Sequence, residues 1–473
     1  MKKTLCCIFI IIISQLACSV KADSIRYVVK FVAEYIPPVC EYNLEKIYDN
    51  TYYAEDVNNL TDLEDYIEYI EPDETVQLIE PIEPARNLRG SGSKSNSNVV
   101  AKAWQLEMVK ADYAWDMATY GNGINVAVID SGCNKHIDLG DNLAGGWNFY
   151  SNPESDDYSD NNDNCHGTHV AGIIAALHND FGIMGVAPKV NIYALKCFEG
   201  NDSTLSIVAK AIRTAVDDYN CKIINLSLAS KKDSEILYDA VQYASGKGAI
   251  IIAAVGNYGN GQICYPAGYE EVIGVGSVGK NKKKSYFSQF NSSVFVTAPG
   301  EAFESLSGES DYMTLQGTSQ ATPLVTAAAA ILLSADNSMS LQKFKELIMS
   351  CSEDLGDAGY DTYYGYGLLD IQSMFEAIIE DYYVSPINDD GIIIYNNTHD
   401  ELSATGILGE YAENEYLGGH ITEIFVPSKE KFNILVWKTE NDLKFFLWDS
   451  FITMRPLTTM RKTVHKTEIE SGS

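Results

Sequence analysis

Positive charge is what this chain most conspicuously has little of. Its 34 lysines and arginines stand against 65 aspartates and glutamates, a formal net charge of −31. Phosphate backbones are bound by clustered basic side chains, so a nucleic-acid partner is excluded. An acidic excess of this size suits a protein kept soluble in an exposed, extracellular setting. Metal-type cysteine spacing is also missing. No CxxC pair occurs among the ten cysteines, which argues against a zinc site. No internal repeat is visible, the N-terminal apolar run is too short for an ordinary transmembrane helix, and no later segment looks transmembrane. What remains is ordinary for a folded protein: 46% hydrophobic and 21% charged residues. A length of 473 residues predicts two or three domains.

The chain divides by composition. Residues 1–22 read as a signal peptide: Lys2 and Lys3, an apolar core from Leu5 to Ile13, and a small-residue cleavage site at Val20-Lys21-Ala22. Secretion and the absence of a transmembrane anchor follow. Cys18 in Gln-Leu-Ala-Cys is a poor lipoprotein signal, because Gln15 stands where a leucine is wanted. Residues 23–80 are acidic and compact, with a small α+β pattern. Ile25–Val32 alternates like a strand, Glu41–Asn50 is expected to be helical, Leu60–Ile70 is amphipathic, and Tyr69–Leu78 reads as a turn entering a strand. Residues 81–98 shift to Pro, Gly, Ser and Arg and form a flexible linker. Within it Arg86-Asn-Leu-Arg89 is either solvated charge or a basic processing site.

From 99 to 380 short apolar runs alternate with helical stretches. Ile124–Ile129, Asn191–Leu195, Lys222–Leu228, Ala249–Val255 and Val272–Val275 read as strands. Gly167–Leu177, Ser206–Tyr219, Ser234–Ser245 and Ser319–Ser334 read as helices. This alternation predicts an α/β, doubly wound, mostly parallel sheet, whose sites form at the C-terminal strand ends. Residues 381–473 form a small β-rich appendage, with strands at Gly391–Tyr395, Ile421–Val426, Phe432–Trp437 and Leu443–Trp448. Six cysteines lie in the α/β region, at 133, 165, 197, 221, 264 and 351, and an oxidising compartment permits pairing. Cys133 and Cys165 are either a disulfide or two thiols.

Four side chains fall where chemistry would need them. Ser319 lies in Gly317-Thr-Ser-Gln-Ala-Thr-Pro323, at the first turn of an alanine-rich apolar helix. A helix N-terminus offers unsatisfied N–H groups and partial positive charge to a developing anion. Asp130 ends the strand Ile-Asn-Val-Ala-Val-Ile-Asp, where a buried carboxylate needs a partner. His166 opens His-Gly-Thr-His-Val-Ala-Gly, while His169 one turn on reads as a packed core residue. Asn257 follows a strand in Val-Gly-Asn. A serine hydroxyl needs a base, histidine has a suitable pKa, an aspartate fixes the imidazole, and a side-chain amide can donate to an oxyanion. Singly, each has a duller role as a cap, a helix start or a turn residue. Together, each at the end of an element, they define a catalytic constellation.

The order Asp…His…Asn…Ser, with Asp130-Ser-Gly, His166-Gly-Thr-His-Val-Ala-Gly, Ala254-Val-Gly-Asn257 and Gly317-Thr-Ser-Gln-Ala-Thr-Pro, resembles the subtilisin-like serine endopeptidases. Gly185-Val-Ala-Pro188, Asn225-Leu-Ser-Leu228, Ala298-Pro-Gly300 and Gly365-Tyr-Gly367 extend the likeness across about 104–377. The resemblance implies Asp130, His166 and Ser319 as the triad, with Asn257 and the N–H of Ser319 as oxyanion donors. It implies that 23–80 is an inhibitory pro-segment, self-cut somewhere in 85–100, and that proteins and peptides are the substrates of a monomeric enzyme. Ser227-Leu228-Ala229 would pair with the substrate backbone, and Asn201-Asp202-Ser203 would face it from the other side. Cys264, where many members have glycine, would make the first specificity pocket shallower and favour small or medium apolar side chains over Phe. Gln320 replaces an oxidisable methionine. No cofactor serves catalysis. A structural calcium would take side-chain oxygens from Asp138 and Asn179 and carbonyls from Leu177, Phe181 and Ile183. Asp156, Asp157, Asp160 and Asp163 form an acidic loop, either solvated surface or a second cation site. Two other functions compete: a catalytically silent homologue used for binding, and a processing protease dedicated to one partner through the C-terminal appendage.

Overall fold

The computed structural model describes residues 26–79, 103–379, 461–462 and, within 382–448, all but 386–390, 397–399, 413–414, 428–429 and 435–441. The expected signal peptide and linker, with Arg86 and Arg89, lie outside the described residues.

The N-terminal body is a four-stranded antiparallel sheet ordered β2-β3-β1-β4. Its strands are β1 (Tyr27–Phe31), β2 (Glu45–Tyr48), β3 (Thr51–Ala54) and β4 (Ile67–Pro72). A 3-10 helix, Val57–Tyr66, packs across it and is capped by Asp56, whose side chain accepts from the N–H of Asn58. Val29, Phe31, Leu60 and Leu63 belong to its own small core. The helix expected over 41–50 is instead a turn and a strand. Asn43 and Asp49 take left-handed φ values of 51° and 37° at its ends, which a helix does not accommodate. A fifth strand, β5 (Thr75–Leu78), leaves this body.

Two short helices, α1 (Trp104–Met108) and α2 (Ala111–Asp116), lead into the main domain. Its seven-stranded sheet runs β14-β13-β12-β10-β6-β8-β7. The strands are β6 (Asn125–Asp130), β7 (Leu143–Asn148), β8 (Asn191–Lys196), β10 (Ile223–Leu226), β12 (Ile250–Ala254), β13 (Val272–Val278) and β14 (Val296–Pro299). Every neighbouring pair is parallel. The alternating Val126, Ala127, Val128, Ile129 of β6 shows why both faces are covered. Val126 and Val128 join the core containing α3 (His166–Ala175) and α6 (Thr318–Ala335). Ala127 and Ile129 join the core containing α4 (Leu205–Asp217) and α5 (Glu235–Gly246). Side chains two apart share a face of a strand, so apolar residues at every position bury both. Helix α6 is long and apolar enough to cross a membrane, but 94% of it is buried inside the fold. Helices α7 (Leu341–Cys351) and α8 (Ile371–Ile378) complete the first layer.

The C-terminal part is β-rich as expected. A three-stranded sheet and a four-stranded sheet, built from strands between Tyr382 and Lys462, share a core including Ile394, Leu408, Phe445 and Leu447. Tyr383 joins it to the main domain: its hydroxyl lies 2.6 Å from that of buried Thr119.

Candidate active site

Asp130 ends β6, an interior strand of the sheet, His166 is the first residue of α3, and Ser319 is the second of α6; all three are buried. The imidazole Nδ1 of His166 lies 2.8 Å from Asp130 Oδ1. That oxygen also accepts from the N–H of Ser131 at 2.7 Å. Gly167 makes the close approach possible. A Cβ there would sit 2.1 Å from the carbonyl oxygen of Gly132 and 3.2 Å from Asp130 Oδ1. Burial works against the imidazolium, but the charge and hydrogen bond of Asp130, with the charge of Asp160, outweigh it and raise the pKa of His166 above its ordinary value. His166 Nε2 is buried with no hydrogen-bond partner. His169, one turn on, bonds through Nε2 to the carbonyls of Phe303 and Met313 at 3.1 and 3.2 Å. Burial drives its pKa down to about 3, so it is a neutral core residue, as expected.

Helices α3 and α6 pack against each other, which brings His166 and Ser319 to the same end of the sheet. Ser319 Oγ donates to the carbonyl of Ser227 at 3.3 Å. Asn257 is fixed by its carbonyl oxygen, which accepts from both the N–H and the hydroxyl of Thr318 at 2.9 Å. Its amide nitrogen lies toward Gly317, where a Cβ would come within 2.6 Å of it.

The cleft is filled by the chain itself. Strand β5 lies between β9 (Asp202–Thr204) and β11 (Leu228–Ala229), antiparallel to both. Leu78 pairs with Leu228 and Gln77 with Ala229, while Gln77 and Val76 face Asp202 and Ser203. Continuing that register puts Ile79 opposite Ser227, the residue whose carbonyl holds the Ser319 hydroxyl. Ile79 packs in a cluster with Ala229, Ala254 and Cys264. Gln289 Nε2 fixes the Cys264 sulfur from 3.3 Å. The described cysteines are all free thiols, Cys133 and Cys165 included.

Two carboxylates lock this strand's parent body to the domain. Glu71 accepts from the hydroxyl of Ser234 (2.9 Å) and the N–H groups of Glu235 (2.9 Å) and Ile236 (2.8 Å), at the start of α5. Asp73 accepts from the N–H (3.2 Å) and hydroxyl (2.7 Å) of Ser206, at the start of α4. Both place negative charge where a helix presents unsatisfied donors. Sequence reasoning did not single out either residue, since each reads as one more acid in an acidic segment.

The expected calcium residues do come together, but with donors facing the carboxylate. Asp138 accepts from Asn179 Nδ2 (2.8 Å), the N–H of Ile183 (2.9 Å) and the hydroxyl of Tyr312 (3.2 Å). Asn179 Oδ1 is turned to the N–H of Phe181 at 3.0 Å, and the N–H of Leu177 bonds to the Asp138 carbonyl at 2.8 Å. A calcium site needs converging oxygens. Here N–H and O–H groups converge on the carboxylate, so the set as arranged does not fit the ion. The acidic loop also resolves unevenly. Asp160 is buried, whereas Asp156, Asp157 and Asp163 are exposed. Among the described residues no group of three or more His, Cys, Asp or Glu side chains could hold a metal.

A carboxylate-held imidazole and a hydroxyl at the head of a buried helix, on a doubly wound sheet, place the molecule among the α/β serine hydrolases. Comparison with known proteins narrows the class. The sequence pattern of the subtilase family matches residues 121–367, just over half of the chain, and the chain belongs to that family of serine endopeptidases. It is 40% identical over 268 residues to the minor extracellular protease Epr of Bacillus subtilis strain 168, covering 56% of this chain and 40% of that one. It is 36% identical over 272 residues to subtilisin Savinase of Lederbergia lenta, covering 57% and 97%. Thermitase of Thermoactinomyces vulgaris is 39% identical over 264 residues, covering 55% and 91%.

Proposed function

We propose that this chain is a secreted serine endopeptidase made as a zymogen, in which Ser319 attacks the peptide carbonyl. Ser319 Oγ gives its proton to His166 Nε2 as the C–O bond forms. Asp130 holds Nδ1 and stabilises the imidazolium. Asn257 Nδ2 and the N–H of Ser319 take the oxyanion. The imidazolium then protonates the amine as the C–N bond breaks, and water releases the acyl group by the same route in reverse. Support for the base comes from His166 Nε2, a buried nitrogen with no partner until a hydroxyl or water reaches it. A rotation of the Ser319 side chain away from the Ser227 carbonyl would supply one.

The observation that carries this reading is β5. An extended segment of the same chain lies in the cleft as a substrate would, paired on both edges, with Ile79 against Cys264 and opposite Ser227. With Ile79 in the first specificity pocket, we expect the first self-cut directly after it. That cut would come ahead of the 85–100 region expected from sequence, which lies outside the described residues. Residues 23–79 would then remain as a docked inhibitor. Ile79 in the pocket also agrees with a preference for medium apolar side chains.

N-terminal sequencing of the secreted wild type beside Ser319→Ala tests both parts. The reading expects a mature start at Glu80, or at a later trimmed position, for the wild type only. Identical maturation of the two chains would assign the cut to another protease. Retained peptidase activity in Ser319→Ala would remove the nucleophile.

A further inference from the structure

A second carboxylate is buried beside the Asp130–His166 pair, and the mechanism above makes no use of it. Asp160 lies on the segment folded over the turn that follows β6. One of its oxygens accepts from the N–H of Thr168 at 2.9 Å and from its hydroxyl at 2.8 Å. The other accepts from the N–H of Asn162 at 3.1 Å. Thr168 is two residues past His166, in the first turn of α3. Cys165, the residue at the cap position, makes no side-chain cap. Asp160 does this work from further back in the chain, where the helix presents orphan donors and positive partial charge.

A buried carboxylate needs a counter-charge. Lys196, the last residue of β8, is register-paired with Asp130 and is 2% exposed. Its ammonium donates to the carbonyls of Ser131 (2.9 Å) and Ser159 (3.0 Å) and to Asn161 Oδ1 (2.6 Å). It thus ties the turn after Asp130 to the two residues flanking Asp160. Where the sequence allowed a bound cation in the acidic loop, a lysine of the chain supplies one.

We propose that Asp160 is a positioning residue for His166: it anchors the helical turn that carries the imidazole and, balanced by Lys196, keeps a fixed negative charge near it. This rests on the reading of His166 as the general base. The groups around the imidazole define what the charge must compete with. Asp130 faces it from β6 and bonds to it. Lys196 comes from β8; burial lowers its pKa, and the half-exposed Glu199 carboxylate faces it at 3.8 Å. His169, on the same helix, is held neutral by burial. The thiol of Cys133 is pushed up by burial and stays protonated; Cys165 adjoins the histidine in sequence. From α6 comes the uncharged Ser319. The hairpin strand Phe303–Ser307, which also packs on α3, has one charged residue, Glu304, and it faces solvent. Asp160 is therefore a second buried carboxylate acting on the imidazole; burial raises its own pKa, and in its ionised form it favours the imidazolium.

Asp160→Asn keeps the shape and removes the charge, and Lys196→Met removes the opposing one. In the self-processed enzyme, kcat/KM for a peptide substrate is measured against pH. Losing a negative charge lowers the imidazole pKa, so the acid limb of Asp160→Asn moves to lower pH. Its activity relative to wild type rises about threefold from pH 8 down to the foot of that limb. The limb of Lys196→Met moves to higher pH. A purely structural role would scale activity equally at every pH, so variant profiles that superimpose on wild type after scaling would overturn the proposal. If Asp160→Asn does not fold, Lys196→Met decides alone: an unmoved limb overturns it. Wild-type activity that survives Ser319→Ala would instead sink the triad reading, which separates the two failures.

Discussion

Replacing Cys264 by glycine should widen what the enzyme accepts next to the cut bond. Ile79 fills a pocket closed by Ala229, Ala254 and the buried sulfur of Cys264, and both Ile79 and Cys264 are buried. A phenylalanine there is larger than isoleucine and would have to displace the sulfur or its neighbours. Overpacking of this kind costs about 1–3 kcal/mol, and each 1.4 kcal/mol is roughly a factor of ten. Wild-type kcat/KM should therefore be about five- to a hundredfold lower for a Phe substrate than for a Leu substrate. Cys264→Gly removes the obstruction without orphaning its neighbour, because Gln289 Nε2 also donates to the carbonyl of Gln262. The Phe-to-Leu ratio should then rise by at least about fivefold, with Cys264→Ala between the two. The assay is a pair of chromogenic peptides differing only at that residue. A wild type that already prefers Phe, or a ratio untouched by Cys264→Gly, would refute the pocket assignment.

Glu71→Ala removes an acceptor from three donors at the head of α5. At about 1.5–3 kcal/mol for a hydrogen bond to a charged group, even one net loss should weaken inhibition of the mature enzyme by the excised segment about tenfold or more. Equal inhibition constants would contradict the docking role. For the loop around Asp138, chelation by EDTA should leave the melting temperature of the purified enzyme unchanged, since protein donors already satisfy that carboxylate. A calcium-dependent rise in melting temperature would show that Asn179 and the loop rearrange around the ion.

The α/β sheet could be read from the sequence because its strands are short apolar runs and its helices begin with glycine- or serine-rich turns. The reactive side chains could be read because each interrupts an apolar element at its end. Asp130 after five residues of β6 is an acid where burial is certain. Asp160 could not be separated in this way. It is one of several acids in a polar loop, and its bonds to Thr168, eight residues away, with Lys196 tying down the residues on either side of it, distinguish it. The strand at Glu45–Tyr48 was hidden for a related reason. Its residues are compatible with a helix, but Tyr48 is claimed by the guanidinium of Arg213, 4.4 Å from its ring centroid on the far side of the docking surface. Tertiary packing decided both cases, and local pattern carries no trace of it.

The threading of β5 between two strands has a kinetic consequence. Most contacts that hold it are backbone hydrogen bonds and the helix-capping carboxylates upstream, and breaking the bond after Ile79 removes none of them. Hydrolysis there, as proposed, would therefore produce a nicked but still blocked molecule. On the proposed processing, an external peptide would compete before the cut with a tethered strand at high effective concentration, and the delay before activity appears would then be set by how slowly the excised segment dissociates.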